Sequence, residues 1–287
     1  MTREVTAGKV KLGGDGPFVL ISGPCVIEDE DTCFATAREL KRIAGGLYIP
    51  FIFKSSYDKA NRTSGQAYRG PGIKEGLRIL KRIKEELGVP VLSDVHEVSQ
   101  VAQAAEVLDV LQVPALLSRQ TDLIVEAARS GSVVNIKKGQ FLAPWEMEQV
   151  LAKALSTGNS NIIVTERGTC FGYNNLVADM RSIPILRGFN QPVIFDVTHS
   201  LQLPGAQAVA SGGERRFIPF MARAAVAVGL DGVYMEVHPD PDRALCDGPN
   251  SLPLKSLRPL LVQLKQMDEL VKRAGPLWSD QPGEGKE

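Results

Sequence analysis

The chain has 287 residues, 44% of them hydrophobic, with 33 Lys and Arg balanced by 33 Asp and Glu for a formal net charge of zero. That balance excludes a protein whose whole surface is built for nucleic acid or another polyanion, which needs a basic excess. The length supports a large core, either as one barrel-sized domain or as two smaller ones.

A short hairpin is expected around 9–14, and the first strand, PFVLIS (17–22), runs into SGPC with Cys25. Helix 31–43 follows, then strand PFIFKS (50–55), which ends at Lys54. The next loop, YDKANRTSGQAYRGPG, carries Lys59, Asn61, Arg62 and Arg69 ahead of an amphipathic helix at 72–88. Strand VPVLSD (89–94) delivers Asp94, His96 and Glu97, and strand VLQV (110–113) delivers Gln112 and Arg119, with helices at 98–108 and 121–130. Strand VVNIKK (133–138) ends in Lys137 and Lys138 and is followed by helix 144–158. Strand NIIVTE (161–166) delivers Glu166 and Arg167, and a weak helical pattern covers 173–182. Strand PVIFDV (192–197) leads to Asp196, His199 and Gln202. The long Gly-containing loop 203–216 reads as a lid over the site. Helix 216–229, strand GVYMEV (232–237) and helix 251–275 complete the series, with Glu236 at the end of the last strand and His238 and Asp247 beyond it.

Eight strands rich in Val, Ile and Leu alternate with eight helices, which implies a parallel sheet buried on both faces. The economical closure is a single-domain α/β fold over 1–275, a (β/α)8 TIM barrel with a short N-terminal hairpin. A doubly wound open sheet is the alternative, but no GxGxxG follows the first strand. Residues 276–287 are polar and rich in Gly and Pro and are expected to be a disordered tail. Cys25, Cys33, Cys170 and Cys246 form no CxxC pair, which fits a reducing cytoplasm. The N-terminus has no apolar signal core, and no apolar run is long enough to span a bilayer, so neither a membrane nor a nucleic acid is an expected partner.

Barrel enzymes place their chemistry at the C-terminal ends of the strands. There this chain collects Lys54, Lys59, Arg62, Arg119, Lys138 and Arg167, cations that repel one another around one mouth unless an anion is bound. They suit a ligand with two phosphates, or with a phosphate and a carboxylate. Asp94, Gln112 and Gln202 on the same rim join the candidate substrate-binding set. Cys25, His199, Glu236 and Asp247 come from the ends of the first, seventh and eighth strands, and the first and eighth are neighbours in a closed barrel. One thiolate, one imidazole and two carboxylates suit divalent iron, zinc or manganese. Each of the four also has an ordinary structural role open to it, and His96 and His238 are further candidate ligands.

KSSYDKANRTS, SDVHE, ALLSRQTDL, NIKKGQF, ERGTCFGYNNLV, IFDVTHSLQ, ASGG and HPDPDRALCDGPNSLPL resemble the 3-deoxy-D-manno-octulosonate 8-phosphate (Kdo-8-phosphate) synthases over about residues 17–273. The KANR segment resembles this family, whereas the related DAHP synthases carry a KPRTS-type segment there. The resemblance implies a homotetramer that condenses phosphoenolpyruvate with D-arabinose 5-phosphate and water on the route to lipopolysaccharide. Cys in the first-strand GPC motif is similar to the metal-dependent class, where other members have Asn. The resemblance therefore implies Cys25, His199, Glu236 and Asp247 as metal ligands, with Cys25, His199, Asp247 and Lys54 catalytic. It implies Lys54, Lys59, Lys138 and Arg167 as phosphoenolpyruvate cations and Asn61 and Arg62 as ligands of the sugar phosphate. Arg119 is similar to an arginine that reaches a neighbouring subunit's site. Thr63 stands where many members have Ser, and Glu166 where Asp is also common. The metal then has two roles open to it, activating water or polarising the aldehyde. A DAHP synthase, a metal-dependent hydrolase or aldolase, and a non-catalytic sugar-phosphate sensor are the competing readings.

Overall fold

The computed structural model describes residues 1–62, 64–205 and 212–275, so Thr63, the centre of the expected lid and the expected tail lie outside the described residues. Each apolar run read from the sequence forms a strand. We label the eight β1 (Val19–Gly23), β2 (Phe51–Lys54), β3 (Val91–Asp94), β4 (Val110–Val113), β5 (Val133–Lys137), β6 (Ile162–Glu166), β7 (Val193–Asp196) and β8 (Gly232–His238). They alternate with α1 (Glu30–Gly45), α2 (Ile73–Leu87), α3 (Val98–Ala105), α4 (Thr121–Arg129), α5 (Met147–Leu155), α6 (Ser182–Arg187), α7 (Ile218–Val228) and α8 (Leu254–Ala274).

Every neighbouring pair of these strands is parallel, and β8 pairs with both β7 and β1, which closes the expected (β/α)8 barrel. Helix boundaries follow local chemistry. At the start of α1, for example, the Asp29 carboxylate accepts the Thr32 amide at 2.8 Å, with Glu30 and Asp31 in the first turn.

One element differs from expectation. The 173–182 segment is not a helix: Thr169–Cys170 and Leu176–Val177 form an antiparallel hairpin, and α6 begins only at Ser182. Asn174 takes a left-handed φ of 53°, which a helix cannot accommodate, and the Asp179 side chain accepts the Arg181 amide in a turn.

Alternation along the strands sorts the core. Leu20, Phe53, Leu111, Ile136, Val164, Phe195 and Met235 belong to the layer between strands and helices. Val19, Ile21, Ile52, Leu92, Val110, Val133, Ile163, Ile194 and Tyr234 form a second cluster inside the barrel. The N-terminal hairpin, Val5–Ala7 against Val10–Leu12, closes the lower end by adding Val5, Ala7, Val10 and Leu12 to that cluster. Leu12 is fully buried there. Leu12→Ala is therefore expected to lower the unfolding free energy by about 2–4 kcal/mol in chemical denaturation, with kcat unchanged because the site lies at the other end. Among the described residues no helix is long and apolar enough to cross a membrane.

Candidate active site

The alternation that makes the lower barrel apolar makes the upper barrel polar. Thr165 donates to Asn135 Oδ1 (2.7 Å), Asn135 to Gln112 Oε1 (2.8 Å), and Gln112 to Asp94 Oδ1 (2.6 Å). This ladder crosses β6, β5, β4 and β3. Asp94 also accepts the Ser56 hydroxyl and lies 3.5 Å from Lys54 Nζ. Both ends of the Gln112 amide are thus committed to the framework, although the side chain lines the cavity above.

That cavity, about 510 Å³, is bordered by Lys54, Lys59, Asn61, Arg62, Lys137 and Arg167. Lys54 donates to Ser56 Oγ (2.8 Å) and lies 3.9 Å from Glu236; Lys59 lies 3.8 Å from the same carboxylate. Burial works against the Lys59 ammonium, yet Cys25 and Glu236 beside it hold its pKa well above the ordinary lysine value. Burial likewise opposes ionisation of Asp94, but Lys54 and Lys59 outweigh it and keep the carboxyl well below the usual range. Lys137 and Arg167 are different: burial pushes both below their ordinary values despite Asp196 nearby. Arg167 donates one Nη to Gln202 (2.9 Å) and has a buried Nη1 with no partner. These are cations with capacity left for an anion.

Two expected site residues stand elsewhere. Lys138 does not line the cavity; its ammonium is caged by the carbonyls of Gly139, Leu142 and Gly168 and by Thr169 Oγ1, with Glu166 at 3.7 Å. The reason is strand alternation: Asn135 points into the barrel, so Lys137 does and Lys138 does not. Arg119 is exposed and does not line the cavity of its own chain. Below the expected lid, Gln202–Leu203 pairs antiparallel with Gly212–Gly213, while 206–211 lies outside the described residues.

The four candidate metal ligands gather around Asp247, with His199 and Glu236 in one close group and Cys25 in another. His199 Nε2 faces Glu236 Oε1 at 3.4 Å and Asp247 Oδ2 at 3.7 Å, and Cys25 Sγ lies 3.3 Å from Asp247 Oδ2. The Asp196 carboxylate bonds His199 Nδ1 (2.8 Å) and Lys137 Nζ (2.6 Å), which leaves Nε2 turned to the cluster. Close approach of two strand ends makes this possible: a Cβ on Gly23 would sit 1.9 Å from the Lys54 carbonyl oxygen, so the GPC motif needs its glycine. Both oxygens of Glu236 are buried without a hydrogen-bond partner. A carboxylate left bare in this way, with a thiol, an imidazole and a second carboxylate around it, fits a divalent cation. Cys246 is an addition that sequence reasoning missed. Its thiol touches Cys25 and forms a group with Cys25 and Asp247 whose ligand atoms lie within 4.8 Å of one another. Only its adjacency to Asp247 in the chain signalled this. His96 lines the cavity with Nδ1 buried and unpartnered, and His238 lies outside it.

With this geometry in place, comparison with known proteins gives a consistent result. The sequence profile of the DAHP synthetase I family matches residues 2–273. A protein of Geobacter metallireducens named 2-dehydro-3-deoxyphosphooctonate aldolase is 63% identical over 272 residues, 95% of this chain and 100% of its own. One of the same name from Geotalea uraniireducens is 64% identical over the same shares, and one from Geobacter sulfurreducens 60%.

Proposed function

The chain belongs to the DAHP synthetase I family, and from that premise we propose that it condenses phosphoenolpyruvate with D-arabinose 5-phosphate and water, giving Kdo 8-phosphate and phosphate. The relatives' name describes an eight-carbon 2-keto acid phosphate without a hydroxyl at C3. Its aldol bond, C3–C4, divides it into a three-carbon pyruvyl unit and a five-carbon aldose phosphate. C3 of phosphoenolpyruvate forms that bond to the aldehyde carbon, the aldehyde oxygen takes a proton, and water adds at C2. Phosphate then leaves with its C–O bond broken.

The observation that carries the reading is the set of cations around one cavity that also borders His199, Cys246 and Asp247, with Cys25 and Glu236 buried against them. Lys54, Lys59, Lys137 and Arg167 bind the carboxylate and phosphate of phosphoenolpyruvate and stabilise the phosphate that departs. In this reading Lys137 takes the part expected of Lys138. Asn61 and Arg62 hold the sugar phosphate. Iron, zinc or manganese bound by Cys25, His199, Glu236 and Asp247 would supply Lewis-acid chemistry at the aldehyde or at the attacking water. Asp196 fixes the His199 ring for either role. The reading extends to a cytoplasmic homotetramer that serves lipopolysaccharide synthesis. Supporting the assembly, Arg119 is free of its own cavity, and Phe141, Trp145, Phe171 and Tyr173 are exposed.

The test is phosphate release from phosphoenolpyruvate with arabinose 5-phosphate or erythrose 4-phosphate. Turnover with the five-carbon sugar is expected; preference for the four-carbon sugar would overturn the assignment.

A pH dependence follows from Cys25. Burial, its hydrogen bond to Cys246 and the Asp247 carboxylate push its thiol well above the ordinary value. Metal binds the thiolate, so below that pKa each unit of pH raises the competent fraction and the zinc affinity by about tenfold. Competition titrations between about pH 7 and 8.5 should show this slope in the wild type and a flatter one in Cys25→Asn. Equal slopes would argue against thiolate ligation.

A further inference from the structure

Asp247 is held in an unusual place. It has a left-handed φ of 50°, and the next residue, Gly248, lies so close to Pro241 that a Cβ would sit 2.3 Å from its carbonyl oxygen. Few non-glycine residues adopt that conformation, and Asp is among those that do where local contacts favour it. Just upstream, Cys246 is buried beside Cys25, Val26 and Tyr68, and the Asp247 carbonyl accepts from the Asn250 amide (3.1 Å) and Ser251 Oγ (3.0 Å), while the Leu245 side chain is half exposed. A further grip, from outside the segment, is on the Leu245 peptide. Its N–H is accepted by Glu28 Oε1 at 2.8 Å, and its carbonyl accepts from Arg62 Nη2 at 3.1 Å.

Glu28 lies three residues after Cys25 in the loop that follows β1. Its other oxygen faces His238 Nε2 at 3.5 Å, and His238 Nδ1 accepts the Asp240 amide at 3.1 Å. One carboxylate therefore bonds the end of the segment 238–245, which joins Glu236 to Asp247, and faces its start, where His238 Nε2 is otherwise unpartnered. Its own backbone is fixed in turn: Tyr68 Oη shares its proton between the Ile27 and Glu28 carbonyls at 3.0 and 3.1 Å.

We infer that Glu28 is a positioning residue that, by holding the Leu245 amide, sets Cys246 and Asp247 opposite Cys25 at the ligand cluster. The inference rests on the metal reading above. Groups that orient metal ligands without touching the metal change affinity by about 10–100-fold when removed. Glu28→Ala is expected to weaken zinc binding by about tenfold or more, while Glu28→Gln, whose Oε1 still accepts the Leu245 amide, stays within about threefold of wild type. Glu28→Asp keeps the charge but retracts the carboxylate by one methylene, and falls between the two.

The measurement is competition between metal-stripped, full-length protein and a chromophoric chelator for zinc alone, without substrates. A wild type that binds zinc and a Glu28→Ala variant within about twofold of it would overturn the inference. So would Glu28→Gln as weak as Glu28→Ala, because charge rather than the hydrogen bond would then matter. Should Glu28→Ala not fold, Glu28→Asp decides: affinity equal to wild type overturns the inference, and weaker affinity supports it. Failure of the wild type itself to bind zinc would remove the metal reading and this inference with it, an outcome distinct from those seen in the variants.

Discussion

Lys137→Met should lower kcat/KM by about 10²–10³, whereas Lys138→Met should leave the folded enzyme within about tenfold of wild type. The two lysines are adjacent in sequence and opposite in surroundings. Lys137 reaches the cavity, 2.6 Å from Asp196 and 4.3 Å above the Tyr234 ring, in a setting where burial depresses its pKa. A cation so placed gains most from an incoming carboxylate or phosphate, and a fixed charge at a water-poor site is worth about 3–4 kcal/mol in the transition state. Its removal also leaves Asp196, which orients His199, with one partner fewer. Lys138 contributes to stability instead. Replacing its caged ammonium by an apolar chain strands three carbonyls and the buried Glu166 carboxylate, at a cost of about 3–5 kcal/mol. Steady-state kinetics with both substrates and thermal melts of both variants separate these outcomes. If Lys138→Met lost activity as Lys137→Met does, with an unchanged melt, the assignment of the two lysines would be reversed.

That pair also marks where sequence reasoning stopped. The barrel was legible because β1 to β8 are short apolar runs at regular spacing, and the hairpin before them was legible from its glycines. Closure of the barrel brings Cys25, His199 and Glu236 to one seam, whereas Asp247 reaches them through the loop after β8. Which of two consecutive lysines faces inward depends on strand register, and the alternation fixed by Val133 and Asn135 decides it. The 173–182 helix failed because a few apolar residues at helical spacing carried less weight than Asn174 in a left-handed turn and the Asp179 turn. Beyond the adjacency of Cys246 to Asp247, nothing in the spacing points to Cys246 or Glu28. Cys246 meets Cys25 across 221 positions and Glu28 meets Leu245 across 217, in contacts that exist only once two loops are folded together.

Removal of divalent metal should reduce phosphate release by about 10³-fold or more, with recovery on adding iron, zinc or manganese. The expectation follows from what the cluster is without a cation. Glu236 is fully buried with both oxygens unpartnered, and Asp247 is kept ionised against burial by His199 and Lys59. Lys54 and Lys59 approach Glu236 only at 3.9 and 3.8 Å, too far to replace direct ligation. Lewis-acid stabilisation of several kcal/mol then corresponds to at least a thousandfold in rate, at about 1.4 kcal/mol per decade. A second readout does not depend on turnover. On the metal reading zinc would bind the folded state preferentially, so it should raise the melting temperature of the wild type in a concentration-dependent way, and much less in His199→Ala or Asp247→Asn. Protein freed of metal, as verified by elemental analysis, that kept full turnover would show that the cations alone suffice. In that event Cys25, His199, Glu236 and Asp247 would be a hydrogen-bonding and proton-transfer group, and the bare Glu236 carboxylate would belong to substrate or water.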